Sequence, residues 1–174
     1  MCSGSPREVA ETLDSSPASV DSALQRAHRS VEQRLPPQSQ QATLRALGDD
    51  RLSQLVGGYV DAWERGDIDA VVAMLAEDGR VTMPPIPTWY RGRDAVGAFL
   101  AERVLRGDRP RRLLPVGANG QPAFGQYFWD EREGRLFAHG ITVLTLKGEQ
   151  IEEITAFLTP EAFVHFGLPP ELPA

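Results

Sequence analysis

The sequence predicts an α+β protein, a curved antiparallel sheet with three helices, preceded by a partial helix-turn-helix. Three observations carry this. Across residues 50–105 apolar residues recur every three or four positions, the spacing of helices with one buried face. From 111 to 157 they fall instead into four runs divided by turn signals such as Asn119-Gly120 and Lys147-Gly148, as antiparallel strands do. Ahead of both, the proline-led stretch Pro36-Pro37-Gln38-Ser39-Gln40-Gln41 sets off a short helical pair. Helices followed by strands indicate segregated layers rather than alternating βα units.

In the first unit, Val9, Ala10 and Leu13 give a short helix one apolar stripe. Asp14-Ser15-Ser16-Pro17 interrupts it. Ser16 offers an N-cap oxygen, and Pro17 at the first helical position has no N–H to leave orphaned. Val20, Ala23 or Leu24, Ala27, Val31 and Leu35 then recur at helical spacing, marking the inward face of a longer helix. Ser19, Ser22, Gln25, Arg26 and Arg29 lie off that stripe. A short helix, a turn and a longer helix can present one helix to DNA, and the same spacing also suits a plain helical hairpin.

The stretch REVAETLDSSPASVDSALQRAHRSVEQRL resembles the second half of region 4 in extracytoplasmic-function (ECF) sigma factors. Glu8, Val9, Ala10, Glu11, Leu13, Ser16, Val20, Ser22, Leu24, Arg26 and Ala27 occupy the matching positions. The resemblance implies that the second helix reads the upstream promoter element in the major groove. Ser16, Ser19, Ser22, Gln25, Arg26 and Arg29 are then the expected DNA-binding residues. RNA polymerase core and promoter DNA are the expected partners in the full-length context. Because region 4 opens with two further helices and region 2 lies upstream of it, the chain is expected to be the C-terminal part of such a factor.

Composition narrows the rest. Hydrophobic content of 41% and charged content of 24% are those of a soluble globular protein. Cys2 is the single cysteine, which excludes an internal disulfide and a cysteine-rich zinc site. His28, His139 and His165 are scattered without ligand spacing, so neither metal nor cofactor is expected. No apolar run reaches the roughly 20 residues of a membrane span, and no basic-then-apolar leader is visible. A cytoplasmic location follows. In residues 1–47 Glu8, Glu11, Asp14, Asp21 and Glu32 balance Arg7, Arg26, Arg29, Arg34 and Arg45, so the whole net charge of −6 lies in residues 48–174. That part should repel a phosphate backbone, and the isolated chain is expected to bind promoter DNA weakly.

The expected boundaries are a partial helix-turn-helix over 1–35, a linker over 36–48, an α+β domain over 49–168 and a tail over 169–174. Thr43 to Leu47 is read as a short helical turn before Gly48. Leu52, Leu55, Val56, Tyr59, Val60 and Trp63 then make one apolar helical face ending at Gly66, a C-cap. Asp67 caps a second helix that buries Ile68, Val71, Val72 and Leu75. Ala76 to Gly79 reads as a turn into a short strand, Arg80 to Met83, and Pro84, Pro85 and Pro87 then restrict the chain to a loop or sheet edge. A third helix runs from Asp94 to about Leu105, its core side Val96, Phe99, Leu100 and Val104. Strands are predicted over 111–118, 122–129, 136–146 and 150–157.

The pieces YVDAWERGDIDAVVAMLAEDGRVTMPP, WYRGRDAVGAFL, ANGQPAF and HGITVLTLKGEQIEEITAFL resemble the SnoaL-like family of the nuclear-transport-factor-2-like superfold. They cover roughly residues 50 to 167, and their wording is similar to a C-terminal extension carried by a subset of ECF sigma factors. The resemblance implies a cone of curled sheet, of six strands or a similar number, around a mostly apolar cavity. A small apolar ligand and a homodimer are partners it allows. Together the two resemblances imply a role in transcription initiation, and the cone is expected to tune the factor by docking on the sigma core or polymerase. A stand-alone SnoaL-like binder or isomerase/hydrolase is the alternative.

Candidate pocket residues are Trp89, Tyr90, Asn119, Gln121, Tyr127, Trp129, His139, Thr155 and Phe157. His139 alternates with Phe137, Ile141 and Val143, which predicts one shared face, with Gly140 and Thr142 opposite. It could serve as a general base or be a neutral, hydrogen-bonded core histidine. Asn119 is equally well explained by its hairpin turn. The strand 136–146 contains no carboxylate, Asp130, Glu152 and Glu153 read as strand-end or rim groups, and Asp78 lies in the expected turn. No catalytic residue is therefore assigned. The segment 158–173, with Phe163, Phe166 and Leu168, is expected to close the cavity or to dock.

Overall fold

The computed structural model describes residues 6–34 and 38–173, which divide into two compact units on either side of Gln38. The first unit is a helix pair, α1 (Pro6–Thr12) and α2 (Pro17–Arg34). Asp14 turns the chain with φ 48°, a conformation Asp tolerates better than most residues. Ser16 Oγ accepts the Ser19 N–H at 3.2 Å, the expected N-cap. Ala10 and Val20 are buried where the two helices meet.

The apolar stripes of that pair are only partly used. Leu13 is 66% and Leu24 48% exposed, and Ala23 and Ala27 are exposed too. The reason is length. Seven residues of α1 span about 10 Å and the eighteen of α2 about 27 Å, so α1 covers only the first turns of α2. The side chain of Val31 and all of Leu35 lie outside the described residues.

The second unit begins earlier than expected. Where the sequence suggested linker, α3 (Gln40–Leu47) is a full helix, N-capped by Ser39 Oγ, which accepts the Ala42 N–H. Leu44 and Leu47 pack against the core. Gln40 uses both ends of its carboxamide on one backbone site: Nε2 donates to Leu146 O at 2.7 Å and Oε1 accepts Leu146 N–H at 2.8 Å. Periodicity over eight residues is too short to reveal such an anchor.

Helix α4 (Asp49–Arg65) ends at Gly66 with φ 69°, and α5 (Ile68–Ala73) is capped by Asp67, whose Oδ1 accepts the Ala70 N–H at 3.0 Å. Strand β1 (Leu75–Met83) already includes residues 76–79, which the sequence reading made a turn; its pairing is irregular there. The proline segment turns into the short edge strand β2 (Ile86–Arg91). Helix α6 (Arg93–Phe99) continues as a π-helical turn, Leu100–Val104. Strands β3 (Arg111–Ala118), β4 (Gln121–Asp130), β5 (Arg135–Lys147) and β6 (Gln150–Phe157) follow. Asn119 and Gly120, at φ 52° and 72°, make the β3–β4 turn with the positive angles a two-residue hairpin favours.

The sheet runs β2-β1-β6-β5-β4-β3. It is mixed, not antiparallel throughout, because β1 lies parallel to β6. Strand direction there is set by how α5 leads into β1, which residue alternation does not encode. Irregularities at Thr82/Met83, Gln126/Tyr127 and Thr145/Leu146 interrupt the ladders, and such bulges bend a sheet. The curved, unclosed sheet packs its concave face on the helices through Tyr59, Trp63, Val96, Leu100, Phe124, Leu144 and Ile154.

The opposite face carries a second core. The segment expected to dock or to close the cavity places Leu158 in the cavity wall, then folds back as a 3-10 helix (Pro160–Phe166) and a two-residue strand β7 (Glu171–Leu172) paired to β5 at Leu136 and Phe137. Phe163, Phe166, Leu168 and Leu172 pack with Tyr127, Leu136 and Ile141. Gly125 leaves the space they occupy: a Cβ there would meet Leu168 and the Phe163 ring. This arm covers its own sheet, because its apolar spacing matches that face.

Candidate functional site

On the helix pair, Ser16 lies just before α2, and Ser19, Ser22, Gln25, Arg26 and Arg29 lie along it. All six are exposed. Ser22, Gln25, Arg26 and Arg29, three or four positions apart, share one face, opposite Val20 and Leu24. Ser16 and Ser19 are engaged in the cap, with hydroxyls 3.0 Å apart. Four side chains are thereby free to read a surface, and two set where the helix starts.

In the second unit, a partly open cavity of about 210 Å³ lies between the sheet and the helices. Trp63 of α4, Phe99 and Leu100 of α6 and its continuation, and Phe128, Ile154 and Ala156 of the sheet make it apolar. Gln126 and His139 supply its polar wall, and Arg103 stands at the rim. Among the described residues no Asp or Glu lines it. Beyond Arg103 it adjoins a wider mouth of about 700 Å³ that shares Arg103, Val104, Phe128 and His139 and adds Glu102, Arg106, Arg109 and Arg111.

His139 reaches the cavity through a bulge. Ala138 pairs with Tyr127 and Gly140 with Gln126, so His139 is the extra residue of β5. The bulge breaks the alternation that placed it with Ile141 and Val143. Those two pack on the arm side of the sheet, while Thr142 pairs with Phe124 of the concave core. The His139 ring meets Phe128 edge-on, centroids 4.9 Å apart. Although His139 keeps solvent contact at the mouth, desolvation by the apolar wall holds its pKa below the ordinary histidine value. It is therefore neutral near pH 7, with one ring nitrogen donating and the other accepting.

The other expected pocket residues are dispersed. Trp89 is 62% exposed on the edge strand. Tyr90 stacks on Phe99 at 4.2 Å, behind the cavity wall. Asn119 is an exposed turn residue whose carbonyl accepts from Gln41 Nε2. Gln121 bonds Leu144 O and Thr145 Oγ1 and borders a separate apolar groove of about 350 Å³ beside Leu44 and Leu52. Tyr127 is buried under the arm, its hydroxyl donating to Pro169 O at 2.9 Å. Trp129 borders the mouth but not the cavity itself. Thr155 pairs with Thr82 and Phe157 with Ile141, on the sheet's other side. Of nine candidates, only His139 lines this cavity. The reason is the curl: inside a cone, position along the strand matters as much as face.

The lining residues that sequence reasoning missed include Trp63, Phe99, Arg103, Gln126 and Phe128. Gln126 carried a usable signal, a carboxamide in the middle of an apolar strand. Asp78, in β1 rather than a turn, is exposed, and the hydrogen bond from Arg91 Nη2 lowers its pKa. Glu153 points away from the cavity, accepting from Arg80 at 2.7 Å and Thr82 at 2.8 Å. Arg111 is buried, its Nη2 donating to Gly107 O and Nε to Arg109 O. Its Nη1 lies against Gly66, at the C-terminus of α4, where the helix dipole favours a cation. Among the described residues no cluster of three or more His, Cys, Asp or Glu side chains could hold a metal ion, and no helix is long and apolar enough to cross a membrane.

Residues 56–167 match the SnoaL-like domain family. Over 95% of its length the chain is 32% identical to the ECF RNA polymerase sigma factor SigG of Mycobacterium tuberculosis, and it spans 44% of that protein. Among solved structures, an NTF-2 like protein of unknown function from Burkholderia xenovorans superposes with a TM-score of 0.54 at 13% identity, covering 65% of this chain and 86% of that one. A provisionally assigned ketosteroid isomerase from Kribbella flavida gives 0.53 at 19% identity, covering 63% and 78%. Those two likenesses concern the fold alone.

Proposed function

Because the chain belongs to the SnoaL-like family and is a homologue of an ECF sigma factor, we propose that it serves transcription initiation as the C-terminal portion of such a factor. The observation that carries this reading is the extent of the identity. At 95% of the chain it takes in the helix pair as well as the α+β unit, whereas a match to the fold alone would stop at the second.

In this reading α2 lies in the major groove. Arg26 and Arg29 contact phosphates or guanine edges, Ser22 and Gln25 contact base edges, and Ser16 and Ser19 fix the helix start. The exposed apolar flank of α2, Leu24 with Ala27, is the surface the remainder of a promoter-reading module would cover. The second unit tunes activity by docking on the sigma core or polymerase, and its edge strand β2, with exposed Ile86 and Trp89, suits that contact. The second reading, a stand-alone binder or isomerase/hydrolase, draws on His139 in the cavity. Without a carboxylate in that wall to orient the imidazole or share its proton, the residues support binding more than turnover.

The test is run-off transcription by core polymerase with an ECF factor that carries these residues as its C-terminal part. Replacing Arg26 and Arg29 together by Ala should lower promoter-specific transcript at least tenfold. Undiminished transcript would overturn the reading.

A further inference from the structure

The cavity and its mouth differ sharply in chemistry, and the difference selects a ligand. Inside, the walls are aromatic and aliphatic apart from Gln126 and His139. Gln126 is 3% exposed and lines the cavity, and among the described residues no side-chain hydrogen bond engages its carboxamide. An unpartnered carboxamide lining the cavity offers both a donor and an acceptor to a ligand there.

Outside, the mouth gathers cations on a unit whose net charge is negative. Arg109 pairs loosely with Glu131 at 3.7 Å; Arg111 gives Nε and Nη2 to backbone carbonyls, while its Nη1 is buried without a hydrogen-bond partner among the described residues. Arg103 and Arg106 have no ion pair among the described residues. Among the described residues Glu102 is the one carboxylate that borders the mouth. Arginine at a cavity rim suits bidentate binding of a carboxylate.

We propose that the cavity binds a small amphipathic monocarboxylate. Its apolar ring or short chain sits among Trp63, Phe99 and Phe128, a polar substituent bonds Gln126 and His139, and its carboxylate meets Arg103 at the mouth. The volume of about 210 Å³ is below the roughly 300–1,000 Å³ of drug-sized sites, so the body is a single ring or a short chain. This replaces the purely apolar ligand suggested by the sequence. It goes beyond the transcription reading and does not depend on it.

The experiment titrates the purified 174-residue chain with 4-hydroxyphenylacetate, and separately with the neutral 4-hydroxyphenylacetamide. Binding is followed by tryptophan fluorescence, since Trp63 lines the cavity and Trp129 the mouth, and by the shift in melting temperature. The acid should bind saturably and at least tenfold more tightly than the amide. Arg103→Ala, at an exposed position, should erase that preference, and Gln126→Leu should weaken both probes. Arg51→Ala, which removes only the surface pair with Glu149, should bind as the parent does. Absence of saturable binding, equal affinity for acid and amide, or an unchanged preference in Arg103→Ala would each overturn the proposal. Polymerase is absent from the assay, so none of these outcomes bears on the transcription reading.

Discussion

Tyr59 is the residue whose packing and polarity conflict most. It is fully buried between Trp63 and Phe124, with ring centroids 5.8 and 5.6 Å away. Among the described residues its hydroxyl has no hydrogen-bond partner, and desolvation drives its pKa far above the usual tyrosine value. Removing that oxygen leaves the ring contacts in place and ends the desolvation cost, so Tyr59→Phe should stabilise the protein by about 1 kcal/mol, read as a higher denaturation midpoint. His139 gives a pH signature. Its folded pKa lies below that of an unfolded histidine, about 6.5. The unfolded chain therefore binds the proton better, and the stability that His139 contributes is complete above that pH and lost as pH falls through the folded value. His139→Gln should shrink the drop in urea midpoint on acidification below about pH 6.5. An undiminished drop would assign the effect to other groups. Nothing in the residue pattern marked His139 as the extra residue of a bulge, because a bulge is a property of two strands and its partner lies on β4.

At the scale of elements, the helix pair and the C-terminal arm make opposite use of apolar residues. In the pair, Leu13 and Leu24 stay exposed. In the arm, Phe163 is buried against Tyr127, with rings edge-to-face at 5.2 Å. Phe163→Ala should therefore cost about 3–5 kcal/mol, while Leu24→Ser should leave the melting temperature of the second unit unchanged. A small loss for Phe163→Ala would mean the arm peels away easily and is available for docking. The balanced charge of the pair also sets its behaviour in isolation: the purified chain should show weak, unselective binding to promoter DNA, checked by salt-dependent fluorescence anisotropy. Helices α4 and α5 and strands β3 to β6 were legible because each has a local signal, a cap, a turn or a sustained period. Strand β7 was not, since two residues carry no period and their pairing with Leu136 and Phe137 is set by where the arm lands.

For the whole molecule, the division at Gln38 makes a prediction about truncation. A chain beginning at Ser39 should keep the melting temperature that the second unit has in the whole chain. One beginning at Gly48 loses the Gln40 clamp on Leu146 and the packing of Leu44 and Leu47, and should be less stable by about 2–4 kcal/mol. Equal stability of the two would show α3 to be dispensable. Sequence by itself determined the α+β class, the two-unit order, the family resemblances and most element boundaries, because these depend on caps, turns and spacing along the chain. Tertiary structure alone decided the parallel pairing of β1 with β6, the return of the arm onto its own sheet and the membership of the cavity. Each of these joins residues far apart in the chain, and on a bent sheet alternation names a face without saying how far along the cone a side chain stands.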